Sequence, residues 1–214
     1  MDSARSALRP ASLVGLLLAG CGGEEPVTAR PPFAEAVVLF APGPGAGFGR
    51  DELPGVVLGP PTGGPGPSLD VLSLGVGGGI SLDFGPGRWV VDGPGPDLVV
   101  FENPFYIGGD PTRPFAELGL VSVSEDGADW YVFPCREGVD GRYPGCAGWT
   151  PTADLDFATA ALDPETSGGD AFDLADVGAA RIRFVRIEDL SAEGEAPSAG
   201  FDLDAVGAYH LSAP

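Results

Sequence analysis

The 214 residues contain no lysine, one histidine, one methionine and three cysteines. An enzyme needs a nucleophile or a general base, and with one histidine and no lysine that inventory is poor. That histidine, His210, stands four residues from the C-terminus and reads as a packing or surface residue rather than a catalytic base. Cations are scarce throughout: 11 arginines stand against 31 acidic residues, for a net charge of −20. Residues 1–20 carry Asp2, Arg5 and Arg9, a net +1, so the remainder carries −21. Nucleic acid and anionic lipid surfaces would repel such a chain, and neither is an expected partner. Helical periodicity is also sparse, and 152–162 is the clearest helix candidate. The 35 glycines and 23 prolines favour short strands joined by turns.

The N-terminus has the layout of an export signal. Arg5 and Arg9 precede a short apolar run, 11–18, that is too short to span a bilayer. Leu18-Ala19-Gly20-Cys21 resembles the lipobox of bacterial lipoproteins in all four positions. The resemblance implies removal of 1–20, lipidation of Cys21, and membrane attachment through that lipid. Residues 21–32 lack apolar periodicity and read as a flexible tether. Gly22 is not the aspartate that tends to retain such proteins at the inner membrane, so the expected location is the cell envelope, at the outer membrane or cell surface. With Cys21 lipidated, Cys135 and Cys146 remain, and in an exported chain a disulfide between them is expected. Their spacing fits no zinc or CxxC pattern.

About 180 residues follow, enough for one domain, 33–214, with an ordinary core. Strand candidates recur at 36–40, 71–74, 80–84, 89–91, 98–102, 120–124, 130–133, 182–187 and 205–211. Nine short strands predict an all-β fold in a single domain, a β-sandwich or a barrel. Alternation in Val121-Ser122-Val123-Ser124 runs into Asp126-Gly127 and then Trp130-Tyr131, which predicts a hairpin. In Arg181-Ile-Arg-Phe-Val-Arg-Ile187 the apolar parity switches between Phe184 and Val185, which predicts a bulge or a strand buried on both faces, inside the sheet. Trp89 and Trp130 read as core.

Two stretches carry a family likeness. The segment from Val121 to Trp130, with Ser-Glu-Asp-Gly-Ala-Asp-Trp at its end, and Arg183-Phe-Val-Arg-Ile187 resemble the discoidin (factor 5/8 type C) pattern, whose fold is a galactose-binding-like jelly roll. The paired terminal cysteines of many discoidin domains are missing, so the resemblance implies the fold alone. Across nearly the whole domain the chain also resembles a group of bacterial cell-surface proteins of unknown activity. That likeness is carried by Gly45-Ala-Gly-Phe-Gly49, Val57-Leu-Gly-Pro-Pro61, Ser73-Leu-Gly-Val-Gly-Gly-Gly-Ile80, Asp97-Leu-Val-Val-Phe-Glu-Asn103, Gly168-Gly-Asp-Ala-Phe-Asp-Leu-Ala175 and Gly200-Phe-Asp-Leu-Asp-Ala-Val206. It implies an envelope location and a non-catalytic role.

The acids are the main chemical resource. Calcium takes six to eight oxygens and tolerates irregular loops, and three groups of candidate ligands stand out. Asp97, Glu102 and Asn103 bracket an apolar strand; Asp170, Asp173 and Asp176 recur every third residue; Asp202 and Asp204 share a face if that segment is extended. None has EF-hand spacing. The alternative is that these acids are solvated or pair with Arg181, Arg183 and Arg186. Trp149, Tyr143 and Tyr106 lie in loop-like segments, where aromatic rings can stack on sugars. The resulting expectation is a non-enzymatic, calcium-stabilised binding module for a glycan or another envelope component. A structural envelope protein without a ligand, or a carboxylate-dependent hydrolase, is the alternative.

Overall fold

The structure is a computed structural model and describes residues 30–62, 70–103, 105–110, 114–139, 141–157 and 160–212. Cys21, the signal segment and nearly all of the tether lie outside these residues. Residues 31–214 form one compact unit.

The strands in chain order are β1 Ala36–Ala41, β2 Leu72–Ser73, β3 Gly79–Asp83, β4 Trp89–Val91, β5 Leu98–Glu102, β6 Phe105–Tyr106, β7 Pro114–Phe115, β8 Gly119–Ser124, β9 Tyr131–Val132, β10 Cys146–Ala147, β11 Asp170–Phe172, β12 Arg181–Ile182, β13 Phe184–Asp189, β14 Asp202–Ala208 and β15 Leu211–Ser212. One sheet runs β1-β3-β13-β8-β10, with β9 added on β8, and a second runs β11-β5-β14-β2. A smaller sheet, β12-β4-β15, and the ribbon β6-β7 complete the set. All the pairings are antiparallel. The two larger sheets pack face to face as a sandwich.

The core explains this layering. Ile80, Leu82, Val121, Val123, Val185 and Ile187 of the first sheet are buried in one cluster with Leu98, Val100, Leu203 and Val206 of the second. The run Leu98-Val-Val-Phe101 is apolar without alternation because β5 is covered on both sides. Leu98 and Val100 face the sandwich interior, whereas Val99 and Phe101 pack with Phe33, Ala205 and Phe157 in a separate cluster. A strand buried on both faces reads as a continuous apolar run.

The predicted hairpin is present, with Ser122 opposite Val132 and Val123 opposite Tyr131. Asp126 closes its turn by accepting from the Ala128 and Asp129 N–H groups at 2.8 and 3.0 Å. The segment 181–187 resolves differently from a bulge. Arg183 interrupts the strand, so that β12 pairs with β4 while β13 lies between β3 and β8. Bulges occur instead in β1 against β3 and in β14 against β5.

Two further expectations need correction. Residues 152–157 and 160–162 are not helical. Thr152 is extended, bridging Gly168 and donating to the Glu102 carbonyl, and Phe157 is drawn into the Phe101 cluster; the local backbone bonds within the segment among the described residues are Leu155 N to Ala153 O and Ala160 N to Asp156 O. Trp89 and Trp130 are half-buried rather than core. Each lies under a guanidinium, Arg181 at 4.3 Å and Arg186 at 3.8 Å from the ring centroid.

The Cys135–Cys146 disulfide forms as expected and closes a loop of 11 residues' separation. The loop-closure argument gives it about 3 kcal/mol, so Cys135→Ser with Cys146→Ser is expected to lower the urea midpoint accordingly without unfolding the sandwich.

Candidate functional site

The register of three adjacent strands gathers carboxylates at one end of the four-stranded sheet. Glu102 closes β5 and lies opposite Leu203. Asp170 opens β11, antiparallel to β5, and Asp202 opens β14, whose partner on β2 is Ser73. Glu117 arrives from the loop before β8, and Asp189 from the end of β13. The loop after β10 seals this end. Asp170 accepts from the backbone N–H of Trp149 at 2.8 Å and of Thr150 at 3.1 Å. Gly148, at φ +90°, sits so close to the Glu117 carbonyl that a Cβ there would approach it to 2.1 Å, so only glycine fits.

The electrostatics of this group are unusual. Burial, reinforced by the charges of Asp202, Glu117 and Asp170, holds the Glu102 carboxyl well above the normal glutamate range, and the Asn103 N–H only partly opposes this. Burial, then Asp202 and Asp189, pushes Glu117 up to about 7. Burial likewise raises Asp170 to about 6, against the hydrogen bonds from Trp149 and Thr150. Asp202 rises to about 6 through burial and Asp189, against the Ser73 hydroxyl that donates to it. Among the described residues no cationic side chain contributes to any of these four shifts.

The arginines named as alternative partners are engaged elsewhere. Arg181 pairs with Glu125, and Arg183 makes a two-pronged contact with Asp83 at 2.7 and 2.6 Å. Arg186 reaches Ser81 and covers Trp130. Asp189 is satisfied without a cation, accepting from the N–H groups of Gly77, Ser191 and Phe201 and from the Ser191 hydroxyl.

Other candidate ligands fall elsewhere. Asp97 and Glu102 lie at opposite ends of β5, five extended residues and about 17 Å apart, so they cannot share an ion. Asp170 and Asp173 are likewise separated, since β11 runs between them. Asp97 is fully buried and holds the far end together: Oδ1 accepts from Gly93 N and His210 Nδ1, both at 2.8 Å, and Oδ2 from Leu174 N at 2.7 Å. His210 is therefore a positioned donor. Asp173 caps the 3-10 turn Leu174–Val177 through the Ala175 N–H. Asp92, Asp97 and Asp173 nonetheless offer oxygens within 4.8 Å of one another. Asp204 is buried and accepts from the Thr62 N–H, and Asn103 is half-buried beside Glu102. The bulge between Leu203 and Ala205 breaks the regular alternation on which the pairing of Asp202 with Asp204 was expected.

The aromatic candidates divide in the same way. Tyr143 and Trp149 form a tilted ring pair with centroids 5.2 Å apart, both half-buried, directly next to the residues that hold Asp170. Tyr106 lies in β6, with its side chain outside the described residues. The sequence did not single out Glu117 or Asp189; neither has a spacing relation to the other acids, and only the fold brings them in. Comparison with known protein families, curated proteins and solved structures gave no match.

Proposed function

We propose that this protein is a lipid-anchored surface module of the cell envelope that recognises a glycan, with calcium stabilising its recognition face. The observation that carries the reading is that Tyr143, from the segment before β10, packs its ring against Trp149, in the loop after β10 whose backbone N–H groups hold the half-buried Asp170 beside the buried Glu102. Aromatic faces stack on the apolar faces of sugars, and neighbouring carboxylates accept hydrogen bonds from hydroxyls. Mixed apolar and polar groups of this kind, converging at one place, are what a small-ligand site requires. The lipobox-like segment supports the anchor, and its test is direct: a Cys21→Ser variant should leave the membrane fraction, and retention there would remove that part of the reading.

Glycan-array binding by the full chain is expected to fall at least about tenfold in Trp149→Ala, which keeps the backbone N–H that holds Asp170 but deletes the ring. Undiminished binding would show that the ring pair is not the platform.

One observation favours a second reading, a carboxylate-dependent hydrolase. Glu117, raised to about 7, is matched to general-acid work near neutral pH. Glycoside turnover that Glu117→Gln abolishes would select this reading over binding alone.

A further inference from the structure

We propose that the open edge of β1 pairs antiparallel with the β1 edge of a second copy of this chain, forming a closed homodimer. This goes beyond the proposed function and stands independently of it.

A strand at the edge of a sheet presents unpaired N–H and C=O groups, and folded proteins guard such edges with short strands, charges, prolines or bulges. Here the guard is mostly length. Among the described residues, the edge strands other than β1 are only two or three residues long. The edge at β2 is also covered, since the Ser73 N–H donates to the Phe48 carbonyl at 3.2 Å.

The exception is β1. It is six residues long and pairs on one side only, with β3; its backbone groups make no bond to any other described element. Ala-Val-Val-Leu-Phe-Ala holds no charge, no proline and no polar side chain. Val38 and Leu39 are 56% and 57% exposed, whereas Val37 and Phe40 pack against the core. The bulge between Val37 and Leu39 accounts for this pattern: it turns Val37 and Phe40 to the same side and leaves two successive apolar side chains outside.

The chemistry of the edge selects its occupant. It offers backbone bonds and aliphatic surface but nothing polar to recognise, so its complement is another uncharged apolar strand. Such a strand is present in β1 itself, and antiparallel pairing about a two-fold axis lets identical edges satisfy each other. Each copy carries a net charge of −20, so two copies can meet only where free acids are absent. This edge meets that condition: Glu35 at its start is paired with Arg88, and Asp83, opposite Ala36, is paired with Arg183. The pairing consumes the one long edge of each copy, so association stops at two instead of running on into fibres.

The test is sedimentation velocity over a series of protein concentrations at low and high salt, using the full chain with Cys21→Ser so that no lipid drives association. A monomer–dimer equilibrium is expected, and it should tighten as salt screens the repulsion between two acidic copies. Val38→Lys and Leu39→Lys are each expected to weaken the dimer at least about tenfold, although each lowers the net negative charge. Both side chains are exposed, so the monomer of each variant should melt as wild type does. Hydrogen exchange should show amide protection within 36–41 rising with concentration. A chain that stays monomeric at every concentration and salt, a dimer that survives both lysine variants, or growth beyond two copies overturns the proposal. Outward amides of 36–41 that are protected in the monomer would put another segment of the chain on this edge and overturn it as well.

Discussion

Thermal unfolding of the calcium-free protein is expected to be hardest at about pH 4.5 and to become easier as the pH rises to 8. Asp170, Asp202, Glu117 and Glu102 all have folded-state pKa values above their unfolded values of 3.8 or 4.5. The folded state therefore binds more protons than the unfolded one over this range. The stability these groups contribute is complete below about pH 4 and is lost as pH rises through about 6 for the two aspartates and about 7 for Glu117. Glu102 extends the loss to higher pH. Asp83 acts in the opposite sense: burial works to raise its pKa, but the contact from Arg183 prevails and lowers it. Its contribution is lost as pH falls through that depressed value, which sets the acid limb. Discounting for partial exposure, the melting temperature should drop by about 5 °C between about pH 5 and about pH 8. Excess calcium should cancel most of this drop. A melting temperature that rises steadily from pH 5 to pH 8 in chelator would contradict the account of the carboxylate group.

Replacing Asp97 by alanine is expected to destabilise the domain by about 3–5 kcal/mol, the largest effect of any single polar substitution considered, measured by equilibrium urea unfolding. Its carboxylate receives the Gly93, Leu174 and His210 donors, joining the β4–β5 connection, the turn after β11 and the segment after β14. Removing it leaves donors without partners in a fully buried place. His210→Ala should cost far less, because it deletes a half-buried donor and leaves the two backbone bonds intact. Equal losses from the two variants would mean that Asp97 acts only through the histidine.

Much of the sandwich is legible in local sequence, because the burial of each strand is written in its own residues. The apolar run Leu98-Val-Val-Phe101 marks β5, and the alternation from Val121 with Asp126-Gly127 marks a hairpin. Cys135 and Cys146 pair as expected. The acids are harder to place. Glu102, Asp170 and Asp202 meet only because strands distant along the chain pair in one register, and Glu117 joins them through the loop before β8. Sequence proximity misleads here: Asp97 is near Glu102 along the chain, yet an extended strand carries it to the other end of the sheet. Local propensity fails in the same way at 152–162, where the bridge from Thr152 to Gly168 and the burial of Phe157 outweigh helix formation. The parity switch between Phe184 and Val185 reads as an irregularity within one strand, but the break falls at Arg183, where the chain passes from one sheet to another.

The most direct test of the recognition face is a glycan array probed with the full chain in calcium, in chelator, and as the Glu102→Gln and Trp149→Ala variants. The account predicts one set of bound glycans, retained only by wild type in calcium and lost when either the ring or the buried carboxylate is removed. Binding that is indifferent to both Trp149 and Glu102, or no glycan bound under any condition, would contradict it.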